Sequence, residues 1–172
     1  MTKLVILGRD GVINAYDGNA ICRADDWQPL PGSLEAIARL NQAGYRVAVA
    51  TNQPGLALGL FDLDALNAMH HKIHDLLDRI GGHIDAIVYC PHHPEAGCAC
   101  RKPKPGMLMQ LTERFGANPQ TVSVIGRAAK DRAAALAAGA RSVQVQPAAV
   151  SENGDSYPDL PRAVQALLRE DR

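Results

Sequence analysis

Five short apolar runs, rich in Val and Ile, recur along the chain: Lys3 to Leu7, Arg46 to Ala50, Ala86 to Tyr89, Val122 to Ile125 and Ser142 to Val145. Each is too short and too apolar to be a strand with one face in solvent, so the pattern predicts the strands of a buried parallel sheet. The segments between them carry apolar residues at helical spacing. One helix opens at Gly32-Ser33, keeps Leu34, Ile37, Ala38 and Leu40 roughly on one face, and ends at Gly44. A second runs from near Asp62 to about Ile80, with Leu66, Met69, Ile73, Leu76 and Leu77 spaced for burial. A third starts at Pro105 or Gly106 and ends near Phe115, a fourth spans Ala128 to Ala138, and Leu160 to Leu168 predicts a last docking helix after a turn-rich stretch from Pro147 to Pro161. Strand and helix alternate, which predicts an α/β domain of three layers with helices on both faces of the sheet.

A length of 172 residues with 47% apolar content suits one core, and a single domain over 1–172 is expected. Lys plus Arg number 18, as do Asp plus Glu, so no summed field favours nucleic acid or an anionic membrane. A small-molecule partner is expected. No apolar run approaches the roughly 20 residues that span a bilayer, and Met1 leads into a strand-like run with no signal-peptide pattern, so a cytoplasmic location is expected.

Three of the four cysteines, Cys90, Cys98 and Cys100, crowd into one loop, while Cys22 lies far away. Such clustering in a cytosolic chain favours metal over disulfide. The segment Cys90-Pro91-His92-His93-Pro94-Glu95-Ala96-Gly97-Cys98-Ala99-Cys100 offers three thiolates and an imidazole in a loop that Pro and Gly allow to fold back. Zinc takes this tetrahedral N/S set, and the spacing assigns Cys90, His92, Cys98 and Cys100 as ligands within the loop 90–104, with His93 as the substitute for His92. Four protein ligands leave no open position, so the metal would be structural rather than catalytic. The alternative is a run of reduced surface cysteines. His70 and His74 also lie four apart on a helix, but no thiol or carboxylate accompanies them, and a solvated face is expected there.

At the end of the first run the chain reads Leu4-Val5-Ile6-Leu7-Gly8-Arg9-Asp10-Gly11-Val12-Ile13-Asn14. Ligands of parallel sheets collect at that C-terminal edge. The second run ends in Thr51-Asn52-Gln53, the metal loop is followed by Arg101-Lys102-Pro103-Lys104-Pro105-Gly106-Met107, and the fourth ends in Gly126-Arg127-Ala128-Ala129-Lys130-Asp131. Four strand ends are expected to converge on one pocket. Thr51, Asn52 and Lys102 could simply finish a strand and cover a turn; at strand and loop ends aimed at the pocket, they read as donors to a ligand.

These stretches resemble the haloacid-dehalogenase superfamily of phosphatases, and within it the branch of heptose bisphosphate phosphatases and histidinol-phosphatase-like proteins, whose metal loop and following R-K-P-x-P-G-M are matched here. The resemblance covers almost the whole chain and implies a Rossmann-like fold. The family's first strand ends in D-x-D-G-V-I-N, where the first Asp attacks phosphorus and the second is acid and base. Asp10 matches the second; Gly8 stands at the first. The family's G-D-x-x-x-D, whose first Asp helps hold Mg²⁺, falls on Gly126, Arg127 and Asp131. T-N-Q-S-G-x-A-R-G becomes Thr51-Asn52-Gln53-Pro54-Gly55-Leu56-Ala57-Leu58-Gly59.

Glycine cannot form an aspartyl-phosphate, and water would substitute only slowly. The carboxylate missing at position 8 would also be a magnesium ligand, and Asp10 with Arg127 sum to zero charge without any cation, so the pocket Asp10, Arg127 and Asp131 no longer asks for Mg²⁺. Arg127 is expected to occupy the vacated metal position and pair with Asp10. Two functions follow. One is a non-catalytic descendant that binds a phosphorylated sugar, or a protein partner, through Thr51, Asn52, Arg101, Lys102 and Arg127, with the amides of Gly8 to Gly11 as an anion nest. The other is a working heptose bisphosphate phosphatase that uses water or another nucleophile.

Overall fold

The structure is a computed structural model that describes residues 1–147 and 155–171. In chain order the elements are β1 (Leu4–Leu7), α1 (Ser33–Gln42), β2 (Arg46–Asn52), α2 (Leu63–Asp78), β3 (Ala86–Cys90), α3 (Gly106–Arg114), β4 (Ser123–Gly126), α4 (Ala129–Ala137), β5 (Arg141–Val145), β6 (Ser156–Tyr157) and α5 (Leu160–Glu170). The strands form one parallel sheet in the order β3-β2-β1-β4-β5-β6. After β3 the chain returns past β2 and β1 to lay down β4. The order therefore reverses at β1 and β4, and a crevice opens at their C-terminal ends.

Period-two alternation in β1 sorts the core into two layers. Val5 and Leu7 face a cluster with Ile37 and Leu40 of α1, Leu66, Met69 and Ile73 of α2, and Leu160, Val164 and Leu167 of α5. Leu4 and Ile6 face the other side, where α3 contributes Met107, Leu108 and Leu111 and α4 contributes Ala134 and Ala135. This is the predicted three-layer, Rossmann-like arrangement. Asp62 caps α2 by accepting from the Ala65 amide, and Asp159 caps α5 by accepting from the Arg162 amide.

The structure differs from the sequence pattern at the sheet edges. Ile87, Val88 and Tyr89 of β3 are only half-buried, because β3 has a strand on one side alone. β2 continues two residues past Ala50, so Thr51 and Asn52 belong to the strand and pair with Tyr89 and Cys90. The expected turn-rich tail contains β6, which is too short to announce itself by periodicity; residues 148–154 of that tail lie outside the described residues. Among the described residues no helix is long and apolar enough to cross a membrane.

One polar group sits where the sequence placed solvent. His70, expected on a wet face of α2, is buried, with its ring tilted against Tyr89. Its Nε2 lies 3.3 Å from Nη1 of Arg9, whose side chain is fully enclosed behind β1 and also donates from Nε to Asp10 at 2.9 Å. A guanidinium can only donate, so His70 accepts through Nε2 and must be neutral there. Burial, then the neighbouring positive charges of Arg9 and His74, push its pKa from 6.5 down to about 4.

The unfolded imidazole takes up a proton near 6.5 and the folded one only near 4. Stability from this site is therefore complete above the higher value and drains away as pH falls through the window between them. Urea unfolding at about pH 5 should give a free energy lower by roughly 2 kcal/mol than at about pH 7.5. His70→Gln retains an acceptor for Arg9 and removes the titration, so it should flatten most of that slope; an unchanged slope would place the pH dependence elsewhere.

Candidate active site

The crevice at the β1 and β4 ends is a cavity of about 360 Å³. Gly8 and Asp10 line it from the loop that follows β1, Thr51 and Asn52 from β2, Lys102 from the loop after β3, and Arg127, Lys130 and Asp131 from the β4–α4 junction and the start of α4. Tyr16 and Asp17, on the loop after β1, form its outer rim. The expected convergence of four strand ends is therefore found.

Gly8 has ordinary negative φ, and a Cβ built on it would meet Val12 Cγ2 at 3.2 Å and the Ile125 carbonyl oxygen at 3.8 Å. The backbone does not demand glycine. A Cβ there asks only for a small shift of a Val12 methyl, and Gly8 lines the cavity.

Asp10 is held on both oxygens. Oδ1 accepts from Arg9 Nε at 2.9 Å and from Asn14 Nδ2 at 3.1 Å, and Oδ2 accepts from Gln53 Nε2 at 3.2 Å. The expected Arg127 to Asp10 ion pair does not form. Arg9, one residue away, already supplies the countercharge, and Arg127 instead runs over Gly11 to donate from Nη1 to the Tyr16 carbonyl oxygen at 3.3 Å. Gly11 makes that path available: its φ is +78°, and a Cβ there would lie 2.6 Å from Arg127 Cδ.

Asp131 is buried and committed elsewhere. Oδ1 pairs with Lys102 Nζ at 2.6 Å, and Oδ2 accepts from the amides of Arg127 and Ala128 at 3.1 and 2.9 Å. Burial raises the carboxyl pKa, but Lys102 and the two amides outweigh it, and the net shift is down. Lys102 donates a second bond to the Ala50 carbonyl oxygen at 2.9 Å. Asn52 grips the Lys102 backbone from both sides, accepting from its amide at 3.0 Å and donating to its carbonyl oxygen at 3.1 Å. Asn52 is thus a clamp on Lys102, with its amide group already spent. Thr51 Oγ1 accepts from Gln53 Nε2 at 3.0 Å.

Two further expectations change. Of the four amides from Gly8 to Gly11, those of Gly8 and Gly11 are bonded to the carbonyl oxygens of Ile125 and Asn14, each at 2.9 Å, so an anion nest has at most the two between them. Arg101 does not line the cavity; it is half-buried, with Nη1 enclosed and without a hydrogen-bond partner. Lys130, which the sequence reading passed over, does line it, and burial, opposed by Asp131 and reinforced by Lys102 and Arg101, lowers its pKa. The roles of Arg9 and Gln53 were also missed. A charged residue just past the end of an apolar strand run, before Val12-Ile13, was the available signal for Arg9.

The residues present do not fit a magnesium ion. The cation commonly takes one or two carboxylates plus phosphate, yet position 8 has no side chain, Asp10 and Asp131 already accept from protein donors on both oxygens, and Arg127 brings a positive charge. The cavity wall as a whole carries four cations, Arg9, Lys102, Arg127 and Lys130, against the three carboxylates of Asp10, Asp17 and Asp131.

The cysteine loop does fit a metal. Ligand atoms of Cys90, His92, Cys98 and Cys100 all lie within 4.8 Å of one another. Cys90 Sγ is 3.6 Å from Cys98 Sγ and 3.2 Å from Cys100 Sγ, and His92 Nδ1 is 3.4 and 3.1 Å from Cys90 and Cys100. Zinc–sulfur bonds of about 2.3 Å at tetrahedral angles separate sulfurs by about 3.8 Å, so little movement would seat the ion. His92 rather than His93 supplies the imidazole of this cluster, and His93 Nδ1 accepts from the Glu95 amide at 3.1 Å.

The comparisons with known proteins agree with this layout. A family model described as haloacid dehalogenase-like hydrolase matches residues 2–139. The D-glycero-beta-D-manno-heptose-1,7-bisphosphate 7-phosphatase of Pseudomonas aeruginosa is 50% identical over 148 residues, which cover 86% of this chain and 80% of that protein. The protein of the same name from Neisseria meningitidis serogroup A is 39% identical over 170 residues, covering 96% and 91%. Among solved structures, D,D-heptose 1,7-bisphosphate phosphatase from B. bronchiseptica, complexed with magnesium and phosphate, superposes with a TM-score of 0.92 at 43% identity and covers 98% of this chain and 99% of that one. With matches that run through the sheet, the metal loop and the strand ends alike, the chain belongs to the haloacid dehalogenase-like hydrolases and is built on the heptose bisphosphate phosphatase scaffold.

Proposed function

We propose that this chain uses the heptose bisphosphate phosphatase scaffold to bind a phosphorylated sugar and does not turn it over by the aspartyl-phosphate route. The observation that carries this reading is at the end of β1: position 8 offers no side-chain oxygen to attack phosphorus, although its backbone would accept one. Arg127 and Lys130 supply positive charge in the cavity, and Thr51 supplies a hydroxyl. A phosphate dianion is therefore held by side-chain cations in place of a metal ion. The zinc at Cys90, His92, Cys98 and Cys100 is structural: it ties the end of β3 to the loop that delivers Lys102.

Sugar phosphates, heptose phosphates among them, should raise the melting temperature equally with and without Mg²⁺; a flat response across the panel would remove the binding claim. Phosphate release from a sugar bisphosphate in Mg²⁺ should be negligible for the unaltered protein. In the Gly8→Asp/Arg127→Asp double variant it should rise by on the order of a thousandfold or more. Equal turnover by both proteins would restore the reading of a working phosphatase.

The metal assignment has its own test. Purified protein should contain about one zinc per chain by elemental analysis. Cys98→Ser should lower the zinc content and the melting temperature together, whereas His93→Ala should leave both unchanged. Full zinc content in Cys98→Ser would remove Cys98 from the ligand set.

A further inference from the structure

A second cavity, of about 380 Å³, adjoins the first and is not part of the phosphoryl site. Its walls are mainly apolar: Val12, Leu30, Pro31, Val145, Pro158 and Leu160. The two cavities share Tyr16 and Arg127. Arg127 passes close over Gly11, where a Cβ would lie 2.6 Å from its Cδ and 2.7 Å from its Nη1, and so lines both cavities.

Among the described residues, the Arg127 side chain makes one hydrogen bond, to a backbone carbonyl oxygen, and no carboxylate pairs with it. Asp159, the acidic residue in the second wall, caps α5 and is paired with Arg162. A concave, mostly apolar surface with one convergent cation is the arrangement that takes an organic anion, the body lying on the walls and the anionic group on the guanidinium.

We propose that Arg127 and the apolar walls beside it form a second ligand site, selective for a small organic anion with an apolar, ring-sized body, such as an aryl phosphate or aryl carboxylate. A free sugar phosphate is a poor match, because its hydroxyls would be desolvated against Val, Leu and Pro side chains without partners. The substitution that costs the first cavity a metal ligand thus gives the second its only anchoring charge among the described residues.

Calorimetric titration of the full chain with phenyl phosphate in the absence of Mg²⁺ tests this, with inorganic phosphate and phenol as probes of the charge and of the body alone. Phenyl phosphate should bind at least about tenfold more tightly than either part. Ala15→Trp, at an exposed position that lines the second cavity and not the first, should weaken it by about tenfold or more, as should Arg127→Met. Lys130→Met, which weakens the phosphate site proposed for the first cavity and does not line the second, should leave the binding that is sensitive to Ala15→Trp in place. The proposal is overturned if phenyl phosphate does not bind, if Ala15→Trp has no effect, or if Lys130→Met abolishes binding, which would place the ligand in the first cavity. Because sugar phosphates are titrated separately, their failure to bind would count against the first cavity's assignment and leave this one standing.

Discussion

The buried ion pair between Lys102 and Asp131 holds the candidate site in shape, and most of the remaining geometry follows from it. Taking two charges out of water costs several kcal/mol per ion unless contact is close and the remaining polar atoms are also bonded. Both conditions hold. The pair is 2.6 Å apart, Lys102 has a second acceptor in the Ala50 carbonyl oxygen, and Asp131 receives two backbone amides. The contact joins the loop that follows the cysteine cluster to the first turn of α4, across a gap that the chain itself spans only through α3 and β4. Gly126 permits it, since a Cβ there would lie 2.3 Å from that of Asp131.

Once Asp131 is committed to Lys102, the charges of the crevice arrange themselves around what is left. Asp10 is neutralised by Arg9 and fixed by Asn14 and Gln53, and Arg9 is in turn steadied by His70 of α2. None of these contacts uses a side chain at position 8. The polar network that shapes the cavity is therefore closed without any side chain at position 8, which accounts physically for a scaffold that folds with glycine there. Arg127, excluded from Asp10 by Arg9, lies along the surface instead.

Much of this was legible in the sequence, and the exceptions share a cause. Strand and helix patterns gave the layers because period two and period 3.6 report burial directly, and the cluster of Cys90, His92, Cys98 and Cys100 was legible because cysteine and histidine crowd into one loop. His70 was misread because its burial is imposed by Arg9 arriving from β1, a contact separated by 61 positions that helix periodicity does not encode. The Asp10 to Arg127 pairing failed for a related reason. Counting charges at the strand ends treats every opposite pair as available, whereas distance and prior commitment decide, and Arg9 was nearer. Asn52 and Arg101 were placed near the right region, but the directions of their side chains depend on the Lys102 loop, whose course no local pattern specifies. β6 is two residues long and carries no period at all.

Under the proposed function, glycine at position 8 and arginine at position 127 act as one electrostatic feature. With glycine at 8 and arginine at 127, the wall holds four cations against three carboxylates, and a divalent cation would enter a site that is already positive. An aspartate at position 8 alone brings the wall to neutrality, which still gives a dication no net attraction. An aspartate at 127 alone leaves one carboxylate in excess and no group to attack phosphorus. Only both together produce two carboxylates in excess, the charge that a divalent ion balances, along with the attacking oxygen. Contributions that depend on a shared ion are not additive, so neither position alone determines whether this crevice handles phosphate through a metal or through side-chain cations.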